Sequence, residues 1–579
     1  RDLPLCDRRQ RQMCIRDSIY PFGDRSFLFS DMYHQYMPFL SEFVHKIKAG
    51  EGLFYSYNVG IGSNFLALYV YYLASPFNWL VFLLPEGLIM EFMSYLVVLR
   101  IGLMGLTFSI YLRKVFGKED PAALLFSTAY ALSGYLAAYN WNVMWLDCLI
   151  LLPLILLGAE RLVREGKWVM YTVTLGLCIL TNYYISIMIC IFLVLYFGML
   201  LITEYYTMTE GQSRKARIVF GRIGRFAFAS LLAGGLAAAL LIPEVCAILR
   251  TDFGNSDFPG TLESYFSVFD MLARHCLCVT TERGLEHWPN IYCGVAVFLL
   301  VPMYALNEKI SVRKRFCNLA LAGFLLLSFG TNVLDFLWHG LNYPDSLPAR
   351  QSFLYIFLIL VMCYDAFRNV EGTSPRQIIY GYLAAVIFLL ACEKFVESED
   401  FDTGIEVLTL VFVTIYGVLL YLYRTRKDEL TRQVLGILVL ACIVAELSIN
   451  TFNTSLGTTG RSAYLGDQED YKALYALTQE QEGDDFFRIE KFTRKTKNDG
   501  TLTGYPTASV FSSTMNSNVM DLYKMLGMRH SKVYYGFDGA TAFVSALLNV
   551  DYMFGESDKY ENGLYEICLL YTSPSPRDG

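Results

Sequence analysis

Twelve apolar segments recur along the chain, near residues 88–112, 121–138, 141–159, 168–184, 186–204, 225–249, 291–306, 316–332, 351–367, 377–394, 405–423 and 433–450. Each approaches the roughly 17–25 residues that cross a bilayer as a helix. A chain so organised must satisfy its backbone within helices, because lipid offers no partner to an open N–H or C=O. Of its 579 residues, 54% are hydrophobic and 17% charged. The expected class is therefore an all-α polytopic membrane protein with about twelve crossings. Fourteen cysteines lie scattered without CxxC pairs, so neither a disulfide framework nor a metal site is read from them.

Orientation follows from the cations. The connectors 113–120, 160–167, 205–225, 307–316, 368–376 and 424–432 carry 21 Lys and Arg, whereas the alternate connectors carry three, Arg274, Arg283 and Arg350. The first set is assigned to the cytoplasm by the positive-inside rule. Segment 88–112 then starts outside, and 433–450 ends outside. Residues 19–87 become an external first loop, 88–450 a transmembrane bundle, and 451–567 an extracytoplasmic module. In that module FFRIEKF and KVYYGF have strand composition, while MDLYKMLG and TAFVSALLNV have helix composition, which predicts a small α+β fold. Residues 1–18 and 568–579 resemble translated sequencing-adapter read-through and are set aside, as a tag is. A membrane helix before Ile19 is expected to be missing, and the module to be cut short.

The first loop is the most informative stretch. It is long, polar and aromatic, with Asp24, Asp31, His34, Gln35, Glu42 and His45. Loops of that length on a membrane protein commonly carry function. Ser75-Pro76 interrupts its apolar run Phe65–Leu84, which predicts two short interfacial helices instead of one span. Asp31 is the candidate catalytic acid: docked by Tyr33, Tyr36 and Phe39, a partly desolvated carboxylate there can take a proton from a hydroxyl. Asp24 is its local competitor. His34, Gln35 and Tyr36 are candidate substrate contacts.

Within the bundle, charges mark costly positions. Arg100 falls midway along 88–112 and must face the interior with an anionic partner; the partner is either a substrate phosphate or a structural one, a helix carboxylate or carbonyls. Asp147 and Glu244 lie near the outer ends of their segments, and Arg350 stands at the outer mouth of 351–367, after Asp335, His339 and Asp345. No metal ligand set is assigned. A divalent cation is left open, and no nucleotide loop, cofactor signature or nucleic-acid patch is present.

PFGDRS, SDMYHQYMPF, LFYSYNVGIGSNF and YYLASPFNWL, in that order, resemble the start of the bacterial YfhO-like membrane proteins. LRIGLMGLTFSIYL, TNYYISIMICIFLVLYF, LIPEVCAIL, PNIYCGV, LPARQSFLYIF and FFRIE continue the likeness through residues 19–567. The resemblance implies a GT-C glycosyltransferase fold in the bacterial plasma membrane. It implies a polyprenyl-phosphate sugar as donor and a cell-envelope polymer, such as lipoteichoic acid, as acceptor. It places the first-loop acid on Asp31 and a phosphate-binding cation on Arg100, where the family pattern tends to Lys, and it matches Arg350 to a Pro-x-Arg-x-x-Phe word. The rival expectation from another class is a transporter or flippase of lipid-linked or envelope precursors; buried charges suit it, and the lack of an evident inverted repeat does not.

Overall fold

The computed structural model describes residues 19–117, 120–211, 213–251, 257–344, 346–455 and 457–555. The adapter-like ends, Asp345 and the last residues of the expected module lie outside the described residues. The chain divides into two units. One comprises residues up to Leu96, Ala239–Phe253 and the chain from Gly457; the other comprises Val97–Ala238 and Gly254–Leu456.

The second unit is built mainly of helices. Every one of the twelve apolar segments is helical over much of its length. Among the described residues, eight helices are long and apolar enough to cross a membrane: Ile89–Phe116, Ala122–Tyr139, Val143–Glu165, Tyr183–Thr203, Lys215–Ile248, Pro375–Phe395, Thr403–Thr425 and Glu429–Thr454. The other four segments fall short for local reasons. Asn182 sits at φ −161° and its side chain accepts from the Ile185 N–H, so it starts the next helix and limits Val169–Thr181 to 13 residues. Gly294, at φ 98°, delays the helix Val297–Leu306, which is left with 10 residues. Val312–Phe329 opens on Arg313, Lys314 and Arg315, and Ser352–Arg368 has 17 residues.

Side-chain caps fix the helix starts. Ser374 and Gln377 form a capping box at the helix Pro375–Phe395, and Asp402 and Asp428 cap Thr403–Thr425 and Glu429–Thr454. Val143–Glu165 and Val169–Thr181 run so close at Gly158 that a β-carbon there would lie 2.6 Å from the Tyr171 nitrogen. Close backbone approach at a small residue is the usual device of helix pairs in lipid.

The first unit joins the first loop to the C-terminal module. Arg25–Ser26 pairs antiparallel with Thr459–Gly460. Arg488–Lys491, the strand expected in FFRIEKF, pairs parallel with Val550–Phe554, and Tyr471, Phe487, Ile489, Tyr505 and Phe554 form the core behind it. KVYYGF contributes the strand Tyr534–Tyr535, in the middle of a three-stranded sheet. Ser517–Met525 and Ala542–Leu548 are the two expected helices. The apolar run after Asn64 breaks where Ser75-Pro76 predicts: Phe65–Leu73 and Pro76–Leu83 meet at 95°, with the Ser75 hydroxyl accepting from the Phe77 N–H.

Candidate functional site

Asp31 opens a helical run that ends at Lys48, and the turn directly after it, Met32–Tyr36, is π-helical. Ser30, just before it, is a non-glycine residue at φ 50°. Such π-turns are uncommon and recur at functional sites, and a left-handed Ser persists only where its surroundings enforce it. The C-terminal module bonds the turn that follows. The Tyr33 carbonyl accepts from the Tyr464 hydroxyl at 2.7 Å. The His34 carbonyl accepts from Thr496 Oγ1 at 3.2 Å and from Asn498 Nδ2 at 2.7 Å. Asp31 itself remains partly exposed, whereas Gln35 and Tyr36 are buried. The Tyr36 ring stands 5.5 Å from Tyr72, which belongs to a second π-turn, Tyr69–Leu73; the Tyr72 hydroxyl accepts from the Ser513 N–H at 2.8 Å.

The charges around this turn perturb one another. Burial pushes the Asp499 carboxyl up, opposed by Lys491, whose Nζ lies 3.5 Å away. Burial holds the His34 imidazole below its ordinary value, opposed by the Asp499 charge. The Tyr33 phenol is raised by burial and then by Asp499 and Asp467. Burial thus favours the neutral form of the His34 ring over the charged one. Asp24, the competitor, is occupied: its carboxylate accepts from the Ser462 N–H at 3.1 Å and the Ser462 hydroxyl at 2.6 Å. Glu244 is buried in Lys215–Ile248, one residue after Pro243, and belongs to the same unit as Asp31.

The bundle unit holds the other expected residues. Arg100 is fully buried, and its Nε donates to Asp147 Oδ1 at 2.9 Å. Asp147 thus gives Arg100 a helix-carboxylate partner. Arg350 lies across two rings, 5.4 Å from the centre of Trp145 and 5.2 Å from Tyr184. It donates to the Tyr184 hydroxyl at 2.7 Å and to the carbonyls of Leu347 and Ser346 at 3.1 and 2.9 Å. Asp335 receives the Tyr265 hydroxyl at 3.1 Å and sits 3.0 Å from His339 Nδ1. The structure thus brings Arg100 to Asp147, and places Arg350 over Trp145, two residues along the same helix. Among the described residues, no group of three His, Cys, Asp or Glu side chains is arranged to hold a metal ion.

Sequence reading missed Thr496 and Asn498, which clamp the π-turn, and Trp145 and Tyr184, which carry Arg350. The first pair leaves no signal, since Thr and Asn in a polar loop read as turn chemistry. Tyr184 is detectable in principle, as an aromatic at a capped helix start.

The family model described as "Bacterial membrane protein YfhO" matches residues 13–572. A curated relative, "Uncharacterized protein YfhO" of Bacillus subtilis (strain 168), is 21% identical over 498 residues, covering 81% of this chain and 54% of that protein. The chain thus spans about half the length of the curated relative it matches. Among solved structures, the arabinofuranosyltransferase AftD from Mycobacteria is similar with a TM-score of 0.51 at 12% identity, over 96% of this chain and 35% of that one. That likeness is one of fold, of the GT-C type. ArnT from Cupriavidus metallidurans in the apo state gives a TM-score of 0.39 at 12% identity, over 84% of this chain and 81% of that one.

Proposed function

The chain belongs to the bacterial membrane protein YfhO family, and on that premise we propose that it is a membrane glycosyltransferase. It moves a sugar from a polyprenyl-phosphate donor to an acceptor of the cell envelope, lipoteichoic acid or a similar polymer, on the outer face of the plasma membrane. The reaction asks for a base and a cation. The acceptor hydroxyl oxygen attacks C1 of the sugar, the C1–O bond to phosphate breaks, and the electron pair leaves with the phosphate. In the first unit Asp31 is the candidate to take the hydroxyl proton; in the second, Arg350 is the candidate to meet a phosphate charge, with planar donors that suit it. Attack opposite the leaving group inverts the anomeric centre. Arg100 and Asp147 serve this reading as a buried pair that sets helix register.

The observation that carries the proposal is the setting of Asp31: a partly exposed acid at the head of a π-turn that Tyr464, Thr496 and Asn498 hold in place. The test is sugar transfer by the full chain in proteoliposomes, offered undecaprenyl-phosphate-linked hexoses and pentoses with envelope polymer as acceptor. Asp31→Asn is expected to lower turnover by roughly 10²–10⁴-fold, the usual worth of a general base, with Tyr464 still protected from modification. An Asp31→Asn protein that transfers sugar at the wild-type rate removes the assignment.

A further inference from the structure

The bundle unit contains a concentration of buried polar atoms that the protein does not satisfy. Tyr135 Oη, Trp145 Nε1, Asn182 Nδ2, Ser352 Oγ and both Nε2 and Oε1 of Gln351 have no hydrogen-bond partner among the described residues. None of these five residues is more than 2% exposed. Buried polar side chains in native proteins are nearly always paired, and an exception asks for an explanation.

These atoms are not scattered. Gln351 and Ser352 follow Arg350 in the chain. Trp145 lies under its guanidinium, and Asn182 caps the helix on which Tyr184 accepts from it. The Tyr135 ring packs 4.9 Å from Tyr139 and 5.3 Å from Phe353. Tyr139 in turn packs 5.5 Å from Trp145 and donates its hydroxyl to the Pro348 carbonyl at 2.7 Å, two residues before Arg350. Four chain segments that carry unsatisfied groups thus meet near one arginine.

Their chemistry is uneven. Trp145 Nε1, Asn182 Nδ2 and Gln351 Nε2 only donate, Gln351 Oε1 only accepts, and the Tyr135 and Ser352 hydroxyls do either. A hydrocarbon chain satisfies none of them. A phosphate alone meets donors but leaves Gln351 Oε1 without one. A sugar phosphate meets all of them, because its phosphate and ring oxygens accept and its hydroxyls both donate and accept. We propose that Trp145, Asn182, Gln351 and Ser352 read the hydroxyls of a sugar whose phosphate is held by Arg350. This deepens the transferase reading and rests on it for the identity of the ligand; the site itself rests on the unsatisfied groups.

The test uses the full chain in lipid nanodiscs and measures binding of three probes: a hexose 1-phosphate, a short-chain polyprenyl phosphate, and the same polyprenyl phosphate bearing the hexose. Glucosyl, galactosyl and N-acetylglucosaminyl forms are compared. Gln351→Met removes two unsatisfied atoms at nearly constant volume, so its melting temperature is expected to equal or exceed that of the parent. Its affinity for both sugar-bearing probes is expected to fall about tenfold or more, as when a site built to hydrogen-bond a hydroxyl loses its partner. Its affinity for the bare polyprenyl phosphate is expected to stay the same. Ser352→Ala should act in the same direction, and Arg350→Gln should weaken all three probes.

Unchanged binding of the sugar-bearing probes by Gln351→Met overturns the proposal. So does equal weakening of the sugar-free lipid phosphate, or a parent protein that binds none of the probes. Selective binding of the hexose 1-phosphate with no sugar transfer keeps the site and removes the transferase reading. Transfer that is indifferent to Gln351 and Ser352 does the reverse.

Discussion

Arg100 and Asp147 show what a single pair of residues can decide in a membrane helix. Arg100 is fully buried and Asp147 is 2% exposed, so neither charge reaches water. Breaking such a pair leaves a buried ion without its counterpart, and Asp147→Ala is expected to destabilise the protein by about 3–5 kcal/mol. Removing both charges with Arg100→Met and Asp147→Leu should recover most of that loss, since a buried ion pair adds little over well-packed apolar groups. Thermal unfolding of the three variants in detergent measures it, and a double variant no more stable than Asp147→Ala would sink the idea. Half of this was legible in the sequence. An arginine in the middle of an apolar run announces that it has a partner, and an aspartate two turns inside another run announces the same. That the two find each other across 47 residues is a matter of helix rotation, which one sequence does not encode. Gln351 and Ser352 were less legible still, because polar residues after an arginine at a helix start read as ordinary capping.

At the level of elements, the punctuation was readable and the backbone register was not. Ser75-Pro76 signals a break because proline lacks a donor and disfavours helix in the residue before it, and the 95° bend falls there. The π-turns Met32–Tyr36 and Tyr69–Leu73 carry no such marker; each is an inserted residue tolerated by its surroundings, here the aromatic contact of Tyr36 with Tyr72. Gly158 is a third case, a glycine whose reason lies on the neighbouring helix. A β-carbon at this position would meet the backbone of Tyr171 at 2.6 and 2.7 Å, and backbone cannot swing aside. Gly158→Ala is therefore expected to push Val143–Glu165 from Val169–Thr181 at about 1–3 kcal/mol, the cost of overpacking a tight contact. Gly198→Ala, in Tyr183–Thr203 with nothing within 4 Å, is the matched control. It should be neutral or slightly stabilising, by roughly 0.5–1 kcal/mol from helix propensity. Equal melting temperatures for the two variants would show that the helices have room to spare at Gly158.

At the scale of the whole chain, the first unit places a condition on how many times the backbone crosses the membrane. Residues of the first loop and of the C-terminal module hydrogen-bond directly: Thr501 Oγ1 to the Asn58 carbonyl at 2.6 Å, and Arg488 to the Ile61 carbonyl at 2.9 Å. Two segments in contact share one side of a membrane, so the chain between them crosses an even number of times. The eight qualifying helices all lie between Ile89 and Thr454 and meet that condition, as do the twelve apolar segments. A further crossing by Phe65–Leu73 and Pro76–Leu83 would raise the eight to nine, an odd number, and residues 19–64 would then face away from the module they bond. With an even count elsewhere, the bent pair is expected to enter and leave on one side. Counting cations in the connectors likewise sends both segments to the same side. Their pairing was not legible in the sequence, since two-residue strands such as Arg25–Ser26 and Thr459–Gly460 have no periodicity to read. Phe54 and Phe543 are 77% and 70% exposed in this unit. Cysteines placed at these two positions, with the exposed Cys246 replaced, should both react with a membrane-impermeant maleimide added to intact cells. A cysteine in place of exposed Lys427, in a cation-rich connector, should react only after permeabilisation. Labelling of Phe54→Cys and Phe543→Cys from opposite sides would break the even count, and labelling of both only from the inside would invert the orientation on which an external sugar transfer depends.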